Sequence, residues 1–178
     1  MKMEDNILRE VKGLYKIIDL KRFRETEGVR FDIFPTEILE DVAGVDRVIH
    51  SGNAISPGSV NGVERPWYMH PHQGDNLVVL YGERHVDLYS VEHGKIESFV
   101  VTSDKIYRNG ELICDHPAML VWPPYVFHRV ESKEKGSASL NFAYREESFD
   151  VSNNFSIYDL NPETGQYAVI RDGFKDQF

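Results

Sequence analysis

From Asp46 onward the chain is a succession of short apolar runs, each closed by turn residues, and this pattern limits the fold more than any other feature. Arg47 to His50 gives way to Ser51-Gly52-Asn53 and then to Ser56-Pro57-Gly58-Ser59. Leu77 to Tyr81, Val86 to Val91 and Ile96 to Thr102 follow, separated by Gly82-Glu83 and His93-Gly94-Lys95; Met119 to Trp122 and Leu140 to Tyr144 complete the series. Short strands between turns predict an all-β sandwich or barrel. Asn109-Gly110 is the strongest hairpin signal, because both residues tolerate the positive φ of a type I′ turn. Imperfect alternation within the runs fits strands covered on both faces.

The flanking segments are less regular. Ile7, Leu8, Val11, Leu14, Tyr15 and Ile18 recur at three- and four-residue spacing behind Asp5, which predicts a short amphipathic helix limited by Gly13. The β-branched Ile17 and Ile18 leave a strand from Tyr15 to Leu20 as the alternative. Pro35 to Val42 suits one or two further helical turns, since proline fits a first turn. The tail from Phe155 to Phe178 keeps Ile157, Tyr158, Tyr167, Val169 and Ile170, so extended structure docked on the core is expected. At 178 residues the chain fits a single domain, 1–178, with a barrel core over about 46–145 and extensions packing on it or on a partner.

Composition excludes several classes of function. Twenty basic residues against twenty-nine acidic ones leave a net charge of -9, which repels a polyphosphate backbone and argues against nucleic acid as a partner. Cys114 is the sole cysteine, so neither an intrachain disulfide nor a thiolate metal cluster is possible within one chain, and a reducing compartment is favoured. Charged residues interrupt the amino-terminal segment, unlike a secretory leader, and the apolar run from Leu77 to Tyr81 is far short of the roughly 20 residues of a membrane span. A cytoplasmic protein without a membrane partner is the expectation.

The chemistry is concentrated in His70-Pro71-His72-Gln73-Gly74-Asp75-Asn76 and in Pro123-Pro124-Tyr125-Val126-Phe127-His128. If the first stretch is extended, His70 and His72 leave the same face with α-carbons roughly 6.5 Å apart. With His128 brought back by the intervening hairpins, three imidazoles would suit zinc, iron, manganese, nickel or cobalt. The alternative reading is a solvated His-Pro-His loop and a structural, hydrogen-bonding His128. His50, His85, His93 and His116 lack such pairing and read as structural, and Cys114 reads as a small buried apolar residue.

These two stretches resemble the two motifs of the cupin superfamily. His70, His72 and Gly82 hold places of the first motif, with Glu64 where its leading glycine stands; the loop is one residue short, so either Asp75 or Asn76 occupies the glutamate position. Strand parity favours Asn76, and an intervening turn at Gln73-Gly74 would leave Asp75 open. Pro123 and His128 match the second motif, while Pro117, Tyr125 and Ser132 replace its two glycines and asparagine. Gln73-Gly74, Leu77 to Leu80, Gly82-Glu83 and Pro123-Pro124 resemble the RmlC-like dTDP-4-dehydrorhamnose 3,5-epimerase group; Pro123-Pro124-Tyr125 and His128-Arg129 also resemble the cupin-type archaeal phosphoglucose isomerases.

The resemblance covers roughly residues 60 to 145. It implies a double-stranded β-helix, a jelly-roll-like barrel with short peripheral helical segments, holding a divalent transition metal (Zn, Fe, Mn or Ni) on His70, His72, His128 and Asp75 or Asn76. Aromatic residues, among them Trp67, Tyr81 and Tyr125, with Arg65 and Asn141 as donors, would then suit a small polar or anionic organic molecule. The function expected is isomerisation or epimerisation of a carbonyl-containing or carbohydrate-like substrate, with Glu64 or Tyr144 as candidate base. Alternatives are a non-haem iron dioxygenase and a non-catalytic binding or sensor domain. A homodimer is expected, as is common among cupins.

Overall fold

The computed structural model describes residues 6–39 and 41–176. Two antiparallel sheets face one another. In spatial order, the six-stranded sheet runs β1 (Ile7–Val11), β2 (Tyr15–Asp19), β13 (Ala118–Trp122), β8 (Gln73–Gly82), β15 (Ser137–Arg145) and β5 (Val42–His50). Its nine-stranded partner runs β12 (Glu111–Cys114), β11 (Ile106–Arg108), β10 (Glu97–Val101), β9 (Arg84–Tyr89), β14 (Phe127–Glu131), β7 (Trp67–Met69), β16 (Ile157–Leu160) and β17 (Tyr167–Arg171), with β6 (Ile55–Ser56) also on β14. A separate hairpin pairs β3 (Lys21–Thr26) with β4 (Val29–Ile33), and α1 (Val151–Asn154) is a single turn. No helix among the described residues is long and apolar enough to cross a membrane.

The predicted strands form, and the reasons are local. Asn109 and Gly110 both take positive φ, at 49° and 84°, and close the β11–β12 hairpin as anticipated. Gly82 sits at φ 70°, and a Cβ there would run into the Gly136 carbonyl, so the turn between β8 and β9 requires glycine. The tail docks as expected: β16 pairs with β7, and β17 with β16.

Three expectations are corrected. The 7–18 segment is a hairpin of β1 and β2, not a helix, because Gly13 at φ 75° reverses the chain and exposes Ile17 and Leu14 to the core; β2 lies within the alternative strand, and Asp5 lies outside the described residues. After Pro35 there is only a 3-10 turn, Thr36–Ile38, since Val42 already belongs to β5. Gln73-Gly74 is strand instead of turn: it pairs with Tyr144 and Arg145 on β15, and the bend falls earlier, at Pro71–His72, where the chain crosses from one sheet to the other.

The interior is filled unevenly. Leu14, Ile17, Leu88, Phe99, Val101, Ile106 and Leu120 pack the half enclosed by β2, β13 and β9 to β11. At this density, truncating Phe99 to alanine would cost about 3–5 kcal/mol. The other half, between β5, β8 and β15 on one side and β6, β7 and β14 on the other, encloses a cavity of about 300 Å³.

Candidate functional site

Alternation along each strand decides which side chains enter this cavity. On β8 the inward residues are Gln73, Asp75 and Leu77; on β15, Ser139 and Asn141; on β14, His128 and Val130. His70, directly after β7, and His128 on β14 bring their ring centroids to 4.7 Å, with the His70 Nε2 3.6 Å from Asp75 Oδ2. Ligating atoms of His70, Asp75 and His128 all lie within 4.8 Å of one another, and all three residues are buried.

The orientation of each group is held by a neighbour. His70 Nδ1 lies 2.6 Å from the Asn154 carbonyl, which can only accept, so Nδ1 carries the hydrogen and Nε2 faces the cluster. His128 Nδ1 meets the Val126 carbonyl at 3.2 Å with the same consequence. Asp75 Oδ1 accepts from Asn141 Nδ2 at 2.7 Å and from Gln73 Nε2 at 3.0 Å, leaving Oδ2 directed at His70. Burial, reinforced by the neighbouring His70, lowers His128 to about 4, so this imidazole is neutral at neutral pH. The rings of Tyr68, Trp122 and Phe155 surround the pair, and burial raises the Tyr68 phenol, keeping it protonated.

The other end of the cavity is built on Arg84 of β9, 3 % exposed. Its Nη1 donates to His50 Nε2 at 3.2 Å and its Nη2 to the Val48 carbonyl at 3.2 Å. His50 Nδ1 in turn meets Ser132 Oγ at 3.1 Å, and Ser132 meets Ser137 Oγ at 2.7 Å. Burial and the adjacent guanidinium lower His50 to about 4, and burial lowers Arg84 to about 10.

Of the residues anticipated from sequence, His70, His128, Asp75 and Asn141 meet in this cavity, and Trp122, at the end of a predicted strand, lines it with them. His72 does not: the bend at Pro71–His72 turns it outward, where its Nδ1 lies 3.2 Å from Glu146 Oε2 and 2.8 Å from Ser148 Oγ. Asn76 points to the opposite face of β8 and donates to the Phe142 carbonyl at 2.6 Å. Tyr144 shares that outer face, its ring over Gly74, and Glu64 is exposed before β7; neither candidate base is in the cavity. Arg65 is ion-paired with Glu131 at 2.6 Å, and Trp67 is buried on the outer face of its sheet under the Arg129 guanidinium. Tyr81 and Tyr125 are solvent-exposed.

Several cavity residues escaped sequence reasoning, among them Tyr68, Arg84, His50, Ser139 and Phe155, as did Asn154, which lies outside the lining and acts on His70 through its carbonyl. The alternation Arg84, Val86, Leu88 was a usable signal, because it places an arginine on the inward face of a strand. Asn154 offered none, as any residue supplies a carbonyl.

No family model matches this chain, and no curated protein matches it in sequence. Solved structures do match in fold. The sugar 3,4-ketoisomerase QdtA from Thermoanaerobacterium thermosaccharolyticum, in complex with TDP, aligns with TM-score 0.54 and 14% identity over 78% of this chain and 87% of that one. The dTDP-4-dehydrorhamnose 3,5-epimerase from Sulfolobus tokodaii aligns with TM-score 0.57 and 16% identity over 80% and 76%. RmlC from Legionella pneumophila, a dTDP-6-deoxy-D-glucose-3,5-epimerase, aligns with TM-score 0.59 and 12% identity over 92% and 84%. The chain has the cupin fold, in the form found in RmlC-like sugar epimerases and ketoisomerases.

Proposed function

We propose that this protein is an isomerase or epimerase that moves a proton at a carbon beside a carbonyl group of a small polar or carbohydrate-like substrate, and that His70 carries that proton. One observation carries the reading: two imidazoles, each anchored through Nδ1 to a backbone carbonyl, turn their remaining ring nitrogens toward a buried carboxylate inside a cavity. Asp75 orients His70, as a carboxylate does beside a catalytic imidazole. Tyr68 offers a neutral donor to a substrate oxygen, and the aromatic walls keep water from competing for the proton. The reaction class is supported by the structural neighbours, among them a sugar 3,4-ketoisomerase and a 3,5-epimerase.

The same residues fit a divalent transition metal. Two imidazole nitrogens and one carboxylate oxygen form a mixed donor set suited to zinc, iron, manganese or nickel, and the Nδ1 contacts to carbonyls are the outer support that metal-binding histidines usually have. His70, His128 and Asp75 would hold it. When bound, such an ion would supply Lewis acidity toward a substrate carbonyl. The two-histidine, one-carboxylate set also favours a second reading, a non-haem iron dioxygenase.

Metal analysis of the purified protein beside His70→Ala and His128→Ala, with solvent-deuterium incorporation into keto sugars followed by NMR, separates the readings. Deuterium uptake that falls roughly 100-fold or more in His70→Ala is the expected result. Iron content with oxygen consumption and no deuterium uptake would replace isomerisation with dioxygenase chemistry. Equal metal content in wild type and both variants would remove the metal from the proposal.

A further inference from the structure

Arg84 differs from the other well-packed arginines of the barrel. Arg108, Arg129 and Arg65 are each more exposed than Arg84, and each is paired with a carboxylate: Glu97, Asp87 and Glu131. Arg84 has none within ion-pair distance among the described residues; its partners are a neutral imidazole and a backbone carbonyl. An uncompensated buried charge is costly, and a fold keeps one where something else completes it.

The rest of the lining points the same way. Among the described residues, Arg84 Nε, Trp122 Nε1, Ser139 Oγ and Asn141 Oδ1 are buried without a hydrogen-bond partner, and all four residues line this one cavity. Three of these atoms are donors or can donate. Unpaired donors distributed along the lining of a cavity that also holds an unpaired guanidinium suit an anionic, oxygen-rich ligand.

We infer that the cavity takes a small carboxylate, its carboxyl group on Arg84 and its carbonyl carbon at the His70–Asp75–His128 cluster. This deepens the isomerase reading and rests on it for the reacting end. A carboxylate fits better than a nucleotide-linked sugar on three counts. The cavity, about 300 Å³, is at the small end of ligand sites. Arg84 lies four residues along β9 from Leu88, the partner of His128 on β14, a rise of roughly 13 Å that the long arginine side chain itself shortens. The outer lining carries the exposed carboxylates Asp46 and Asp176, the latter paired with Arg171, so negative charge is disfavoured at the mouth and favoured at Arg84. The guanidinium fork matches the planar carboxylate in two hydrogen bonds and anchors one end of the molecule while the other reacts.

The test is calorimetric titration of the 178-residue protein with D-glucuronate and D-galacturonate, whose carboxyl and carbonyl groups lie at opposite ends of the molecule, beside D-glucose, inorganic phosphate and TDP. Both carboxylates are expected to bind and D-glucose is not; Arg84→Gln is expected to weaken binding by roughly 30-fold or more, the effect of removing one partner of a buried charge pair. His70→Ala should retain carboxylate binding within a few-fold while losing proton exchange. Should Arg84→Gln not fold, Arg84→Lys, which keeps the charge and loses the fork, carries the same expectation of weaker binding. No carboxylate binding to the folded wild type, equal binding in a folded Arg84 variant, or a preference for phosphate or TDP would overturn the inference. Deuterium exchange into a nucleotide-linked keto sugar, unaffected by Arg84→Gln, would remove the carboxylate and leave the isomerase reading standing. Carboxylate binding without exchange in any substrate would do the reverse.

Discussion

At the scale of single residues, the balance between burial and pairing sets the behaviour of the cavity. His50 is kept neutral in the fold because burial and Arg84 both oppose its charge, lowering it to about 4 from an ordinary value of 6.5. Between those values the unfolded chain binds more protons than the folded one. Stability therefore falls as the pH is lowered from about 6.5 toward 4, and the contribution is intact above that window. Urea midpoints across this range should decline for the wild type and decline less steeply in His50→Asn, which keeps an acceptor for Arg84 and cannot titrate. Individual residues were also where sequence and structure parted most. His72 fits a metal motif by spacing, yet the two-residue argument holds only for extended chain, and the bend at Pro71 removes that condition. The same shift, by making Gln73 a strand residue, turned Asp75 inward and Asn76 outward. The choice between Asp75 and Asn76 was a question of register, and a single residue of slip reverses its answer.

At the scale of elements, the nine-stranded sheet is clamped at Glu97, whose side chain is fully buried at the start of β10. Arg108 grips it with two hydrogen bonds of 2.8 Å, and Asn109 and His93 add one each, so β10, the β11–β12 turn and the β9–β10 turn meet on one carboxylate. Burial alone would raise Glu97; the bonds from Arg108, His93 and Asn109 outweigh it and bring it down to about 2. Glu97→Ala leaves Arg108 without its partner and should cost about 3–5 kcal/mol, a fall in Tm of about 10 °C measured by calorimetry. Because the folded value lies below the unfolded one, this stabilisation is present above about 4.5 and is lost as the pH falls toward 2. The turn that joins these strands was legible in Asn109-Gly110; the clamp was not, since Glu97 and Arg108 are brought together by pairing of β10 with β11.

At the scale of the whole molecule, the β3–β4 hairpin stands apart from both sheets and displays Val29, Phe31 and Ile33 on one face, with Phe23 on the neighbouring strand 70 % exposed. Apolar surface of this kind on a two-stranded ribbon is costly in water. We propose that a second copy covers it, which would give the homodimer expected from the sequence. Sedimentation at micromolar concentration should find a dimer for the wild type and a monomer for the double variant Phe23→Asp, Phe31→Asp; a monomeric wild type would exclude this role for the hairpin.

The sequence by itself determined the all-β class, most strands of the barrel and a candidate set of His70, His72, His128 and either Asp75 or Asn76, because strand length, turn chemistry and side-chain type are local properties of the chain. Only the tertiary structure decided which of these side chains meet. The crossing at Pro71–His72 excluded His72, the pairing of β8 with β15 selected Asp75, and the docked tail supplied Asn154 to orient His70. It also placed Arg84 without a carboxylate at the inner end of the cavity. Each depends on register and on contacts between residues far apart in the chain, where burial and pairing act on partners that no local pattern can name.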